Sequence, residues 1–321
     1  MKTRLWLTAI LVVLGAGWGI TQPLSKIATS SGHGPFGLVF WQLAIGALVL
    51  GAVTFARGKG LPLGAAQMRL YVVIALIGTV IPNAASYAAL AKLPSGILSL
   101  LLSLVPMLAF PIALALGLDR PSLARLAGLA LGLGGVALIV LPGTALPEPG
   151  QLWWVPVALI APLFYALEGN VVAKWGRLGL DPVQLLFGAS VLGTVIALPL
   201  ALGSGQWIDP RPPWGAPELA LIASAVVHGI VYSSYVWLVG RAGPVFAVQV
   251  SYLVTGFGLA WAMWLLDERY AGAVWGAAAL MALGLMLVTP RPKSALAPAG
   301  AASQTGAAAR AAPARRNGTD P

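Results

Sequence analysis

Long apolar runs alternate along the chain with short breaks that hold its charges and many of its glycines and prolines. Ten runs stand out, at about 5–27, 35–56, 70–91, 95–117, 122–142, 152–174, 182–203, 217–239, 243–265 and 271–289. A helix needs about 20 apolar residues to cross a hydrocarbon layer. Within each run the apolar positions are continuous rather than alternating, which fits lipid-buried helices and not barrel strands. The pattern predicts an all-α polytopic membrane protein with ten transmembrane helices. The first run follows Lys2 and Arg4, as a secretory signal would. Its apolar stretch is too long for one and no convincing cleavage site follows, so a retained span is expected.

Composition agrees. Of 321 residues 59% are hydrophobic and 9% charged, against about 25% charged in soluble domains. Mean hydropathy is +0.87. The 39 Gly and 25 Pro fit transmembrane helices, where neighbouring helices satisfy freed backbone groups. With no Cys, disulfides, thiolate nucleophiles and Cys-based metal sites are excluded, and two His (His33, His228) leave little for a metal centre.

The formal charge of +10 changes meaning once it is placed on the spans. One side collects Lys2, Arg4, Arg57, Lys59, Arg69, Arg120, Arg125, Lys174, Arg177, Arg241 and the basic residues after 290; the other keeps only Lys26, Lys92, Arg211 and Arg269. This asymmetry places both termini in the cytoplasm, and a bacterial-type inner (plasma) membrane is the expected location. The basic residues form no compact, aromatic-interleaved patch, so no nucleic-acid partner is expected. Residues 291–321, rich in Ala, Pro, Gly and Arg without apolar periodicity, read as a disordered cytoplasmic tail.

At an offset of 148 residues the chain matches itself. Lys26 meets Lys174, Ser86-Tyr87 meets Ser234-Tyr235, Ser103 meets Ser251, Asp119 meets Asp267, Gly128 meets Gly276, and Gln22 meets another amide, Asn170. Two repeats follow, 1–145 and 146–290, each of five spans. An odd span number inverts the second repeat relative to the first. Inverted repeats with a site near the bilayer midplane are the architecture of secondary transporters.

With these features the chain resembles the EamA-type branch of the drug/metabolite transporter superfamily. Trp18-Gly19 with Lys26 resembles that family's first-helix pattern, Pro94-Ser95-Gly96 its fourth-helix start, and Leu266-Asp267-Glu268-Arg269 with Gly276 the turn before its last helix. Two positions depart from the pattern. Gln42 stands where an Arg is frequent, and Asp119-Arg120 where a Glu-Arg pair is usual. The resemblance implies transport of a small metabolite by alternating access, with export the favoured direction. Amino acids, including aromatic ones as in YddG-type exporters, are the leading class, and organic cations, drugs or nucleobases the alternative.

Polar side chains at bilayer depth are costly and mark candidate sites. Trp18 and Gln22, Trp41 and Gln42, Asn83 with Ser86 and Tyr87, Tyr165 and Glu168, and Gln249 with Tyr252 recur at helical spacing or side by side. His228, Tyr232 and Tyr235 share one face of the eighth span. These residues are expected to line a polar cavity with aromatic walls, built from the first, third, sixth, eighth and ninth spans, with Trp41 and Gln42 added from the second. The alternative is a set of interhelical hydrogen bonds, each contributing about 0.6–2 kcal/mol. Such a cavity suits a small neutral, zwitterionic or aromatic solute, and aromatic faces also hold cations. Glu168 is the one carboxylate well inside a span. Removal from water favours the neutral carboxyl, which makes Glu168 the candidate for proton coupling or else a structural acid bonded to a neighbouring helix. Lys26 and Lys174 read as snorkelling residues at helix ends.

The sequence shows no Walker A loop, H-E-x-x-H or G-x-S-x-G motif. No enzyme, cofactor or metal is therefore expected. The expected partners are a small-molecule substrate and the lipid bilayer, with the chain a monomer or weak dimer. An intramembrane enzyme acting on a lipid-linked substrate is the competing class, with Glu168 and His228 as its only convergent groups.

Overall fold

The computed structural model describes residues 2–141, 146, 148–247 and 249–288. The tail expected at 291–321 lies outside them. Among the described residues the chain forms ten long helical segments and no strand. They are α1 (Lys2–Ala28), α2 (Pro35–Ala56), α3 (Ala65–Leu90), α4 (Ser95–Ala115), α5 (Leu123–Val140), α6 (Trp154–Trp175), α7 (Pro182–Gly203), α8 (Ala216–Ala242), α9 (Val250–Leu266) and α10 (Gly272–Val288). The first eight are long and apolar enough to cross a membrane, and α9 and α10 are shorter apolar helices. The chain is a multi-pass membrane protein.

Local chemistry sets the helix ends. Pro35, Pro182 and Pro217 occupy first-turn positions, where a missing N–H is not needed. Asp181 caps α7 by accepting from Val183 N at 2.9 Å and Gln184 N at 3.1 Å. The Gln184 side chain accepts in turn from Asp181 N, completing a capping box. Gly176 (φ +76°) and Gly243 (φ +83°) stop α6 and α8 in a backbone region that other residues avoid. Gly243-Pro244 also corrects the ninth run. The sequence places its start at 243, but α8 continues to Ala242, a turn at Pro244–Ala247 intervenes, and α9 begins at Val250. A continuous apolar run conceals such a break, since only the backbone changes.

Two helices are irregular inside. α3 carries a π-helical turn over Ala75–Val80. α4 is interrupted at Ser103-Leu104, where Ser103 N donates to Leu100 O and Leu104 N to Leu101 O. Pro106, with no N–H to donate, sits just beyond.

Between the two halves the helix packings come in matched sets. α1 packs on α8 and α9, and its repeat equivalent α6 packs on α3 and α4. α2 packs on α8 as α7 packs on α3, while α2–α7, α4–α9 and α5–α10 pair equivalent helices. Glycines permit the closest approaches. A Cβ on Gly284 of α10 would lie 2.6 Å from Gly128 O of α5, and one on Gly19 of α1 would lie 2.9 Å from Gly258 N of α9.

Side chains also tie connection to connection. His33, after α1, meets Glu218 in the first turn of α8 at 2.6 Å. Asp181, before α7, pairs with Lys59 and Arg57 (3.4 Å) after α2. Glu268, between α9 and α10, caps α4, accepting from Ser95 N at 2.7 Å, Ser95 Oγ at 3.0 Å and Gly96 N at 3.2 Å. Lys26 and Lys174 bond to backbone as well. Lys26 Nζ donates to Leu90 O and Leu93 O, and Lys174 Nζ to Leu116 O, so both ammonium groups sit at helix ends against carbonyls of a neighbouring segment.

Candidate functional site

Eight of the helices surround one cavity of about 450 Å³, a size that holds a small organic molecule. α5 and α10 contribute nothing to its wall. α1 supplies Trp18, Thr21, Gln22 and Ser25, and α2 supplies Gln42. α3 supplies Gly78, Thr79, Asn83, Ser86 and Tyr87, and α6 supplies Tyr165 and Glu168. α8 adds Ser224, His228 and Tyr232. Ten of the fourteen residues singled out from sequence therefore meet in one place.

Four do not. Trp41 points away from Gln42 and donates Nε1–H to Ile208 O at 3.0 Å, packed with Phe40 and Trp207. Tyr235 stands behind the wall, its ring 5.2 Å from that of Trp18. Gln249 is exposed beside the break before α9. Tyr252 packs against the apolar cluster around α4 and α10. The reason is common to all four. Spacing assigns residues to a helix face, but the rotation of that face is set by its neighbours, and α9 begins seven residues later than the run implies.

Bonding within the cavity is sparse. Tyr165 Oη donates to Asn83 Oδ1 at 2.7 Å, joining α6 to α3. Ser25 and Ser224 hydroxyls lie 3.3 Å apart, joining α1 to α8. Tyr232 Oη reaches Pro182 O at 3.4 Å. The His228 ring lies 6.2 Å from Trp18. Gln42 Oε1 is buried without a partner, and Tyr87 Oη is buried near Ser25 without a hydrogen bond of ordinary geometry. Glu168 makes no hydrogen bond or ion pair among the described residues. Its carboxyl lies over the π-turn of α3, where a Cβ on Gly78 would stand 2.6 Å from Cδ. π-turns of this kind recur at functional sites. Asn170, by contrast, is structural: Nδ2 donates to Ala109 O at 3.0 Å and Ala166 O at 2.9 Å.

Apart from Ser86, sequence reasoning missed the small hydroxyls of the wall, and it missed the contributions of α4 and α7. Thr79, Ser99 and Ser103 return their hydroxyls to carbonyls of their own helix and so pass as ordinary helix residues. The repeat held the missing signal. Ser190 of α7 is the equivalent of Gln42, Ser103 of α4 that of Ser251, and all four line the cavity. No group of three or more His, Asp or Glu among the described residues is placed to hold a metal.

Comparison with known proteins places these observations. A profile described as the EamA-like transporter family matches twice, over residues 5–141 and 152–289. A WAT1-related protein of Arabidopsis thaliana is 24% identical over 295 residues, covering 82% of this chain and 84% of that protein. A solved crystal structure superposes with a TM-score of 0.60 at 19% identity, over 90% of this chain and 97% of the other. That last likeness concerns the fold alone.

Proposed function

Because the chain belongs to the EamA-like transporter family, we propose that it is a secondary transporter that exports small metabolites by alternating access. Amino acids, aromatic ones included, form its leading substrate class. The observation that carries the reading is the placement of the cavity: repeat-equivalent residues, Gln42 with Ser190 and Ser103 with Ser251, line it from both halves. Sites at a repeat interface are what alternating access works on.

The connection contacts support ten spans and inversion of the repeats. If every helix crosses the membrane, the connections α1–α2, α3–α4, α7–α8 and α9–α10 share one face, and α2–α3 and α6–α7 the other. His33–Glu218 and Glu268–Ser95 then join connections on the first face, and Asp181–Lys59 joins connections on the second. Positions 33 and 181 are repeat equivalents, so the same point of each repeat anchors an ion contact on opposite faces. The charge distribution supports a cytoplasmic second face and cytoplasmic termini, in a bacterial-type inner (plasma) membrane.

Counterflow in proteoliposomes tests the proposal. Preloaded unlabelled amino acid is expected to drive saturable uptake of labelled amino acid. Flux that rises linearly without saturation would indicate a channel. Proton coupling, where present, runs through Glu168. Glu168→Gln is then expected to abolish uptake of a neutral solute driven by a pH gradient while leaving exchange of that solute intact. An unaltered pH dependence in that variant removes Glu168 from coupling.

A further inference from the structure

Three observations single out Glu168. First, among the described residues it stands unpaired inside a span, whereas Asp119, Asp181, Asp209, Glu218 and Glu268 each bond to a neighbour. Second, among the described residues no Lys or Arg shares the cavity wall, and Glu168 supplies its one carboxyl group. Third, its repeat equivalent is Ile20, so the scaffold common to both halves does not call for an acid here. A charge held at bilayer depth without a partner is costly, and a ligand of opposite charge removes that cost.

The surroundings match one ligand chemistry. An ammonium group offers three donors and no acceptor. The wall offers the Glu168 carboxylate as an acceptor, and Gln42, another wall residue, keeps its buried Oε1 without a partner among the described residues. Tyr165, three residues before Glu168 on the same helix, and Tyr232 line the same cavity, as does Trp18. Aromatic faces attract cations and pack against an apolar body. Nothing on the wall offers a fixed positive charge to a carboxylate or phosphate.

We propose that Glu168 is the specificity-determining residue of the cavity and that it selects amines carrying a net positive charge and an aromatic or apolar body, ahead of the corresponding zwitterions and anions. The proposal rests on reading this cavity as the transport site, and it shifts the substrate class from zwitterionic amino acids to the organic cations named as the alternative. Gly78 acts with Glu168 by leaving room for the carboxyl over the π-turn.

The test uses the purified full chain in lipid nanodiscs, titrated calorimetrically with phenethylamine, phenylalanine and phenylacetate. Phenethylamine is expected to bind at least tenfold more tightly than phenylalanine, with phenylacetate weakest. Glu168→Gln is expected to weaken phenethylamine at least tenfold. Gly78→Ala, which crowds the carboxyl without removing it, is expected to weaken phenethylamine several-fold. Equal affinity for phenylacetate and phenethylamine, affinities unchanged in both variants, or binding of none of the three probes overturns the proposal. The ranking on the unsubstituted chain decides the matter even where a variant does not fold. Counterflow separates the two readings. Phenylalanine flux that does not depend on Glu168 keeps transport and discards amine selection. Glu168-dependent phenethylamine binding without flux of any probe keeps the amine site and discards transport.

Discussion

Single side chains here do work that spans the two repeats. Glu268 is the clearest case, since one carboxylate from the α9–α10 connection holds the first N–H groups of α4 and accepts from Tyr270 as well. A helix N-terminus carries unsatisfied donors and partial positive charge, so a carboxylate there is favourable. Glu268→Ala is expected to lower stability by about 1–2 kcal/mol, read as a lower unfolding temperature in detergent. An unchanged temperature would show the cap to be energetically idle. The two short motifs meeting here, Pro94-Ser95-Gly96 and Asp267-Glu268-Arg269, were both visible in the sequence. Their contact was not, because 173 residues separate Ser95 from Glu268.

Helices divide into those that build the cavity and those that brace it. α5 and α10 pack on each other through Gly128 and Gly284 and leave the cavity wall to the other eight. Gly284→Leu forces these backbones apart, and overpacking of this kind costs about 1–3 kcal/mol. The expected outcome is a lower unfolding temperature with ligand affinity retained in the folded fraction. Loss of affinity at unchanged stability would instead tie α10 to the site. α3 is the opposite case, because its π-turn sets Gly78 against Glu168. Helix existence and length were legible from runs of apolar residues. The π-turn, the break in α4 and the late start of α9 were not, since a wide or interrupted turn leaves hydropathy unchanged.

At the scale of the molecule, topology and pH response follow from where charges stand. The chain contains no Cys, so single cysteines report sidedness cleanly. Lys92→Cys and Arg211→Cys are expected to react with an impermeant maleimide in intact cells, and Arg241→Cys only after permeabilisation. The reverse pattern would invert the assigned orientation. On the face assigned to the cytoplasm, Asp181 is partly buried, which raises its pKa, but the Lys59 hydrogen bond, the Gln184 backbone N–H and the charges of Arg57 and Lys59 outweigh this and hold it below the usual carboxylate range. A carboxylate with a lowered folded-state pKa contributes stability above its unfolded value, near 3.9, and loses it as pH falls through the folded one. The unfolding temperature is therefore expected to drop as pH falls below about 4, and Asp181→Asn is expected to flatten that part of the profile. An identical profile in the variant would assign the drop to other groups.

The linear sequence determined what depends on composition and order alone. Continuous apolar runs dictate helices in lipid, sparse charge excludes a soluble surface, and the 148-residue offset reveals two repeats without any coordinates. It also supplied the polar residues that a membrane span does not carry idly. Tertiary packing decided which of these face each other. Helix rotation is fixed by neighbouring surfaces and by the few positions, such as Gly19 and Gly128, where backbones approach closely. That rotation gathered Gln22, Asn83, Glu168 and His228 around one cavity, turned Trp41 and Tyr252 away from it, and left Glu168 without a partner among the described residues.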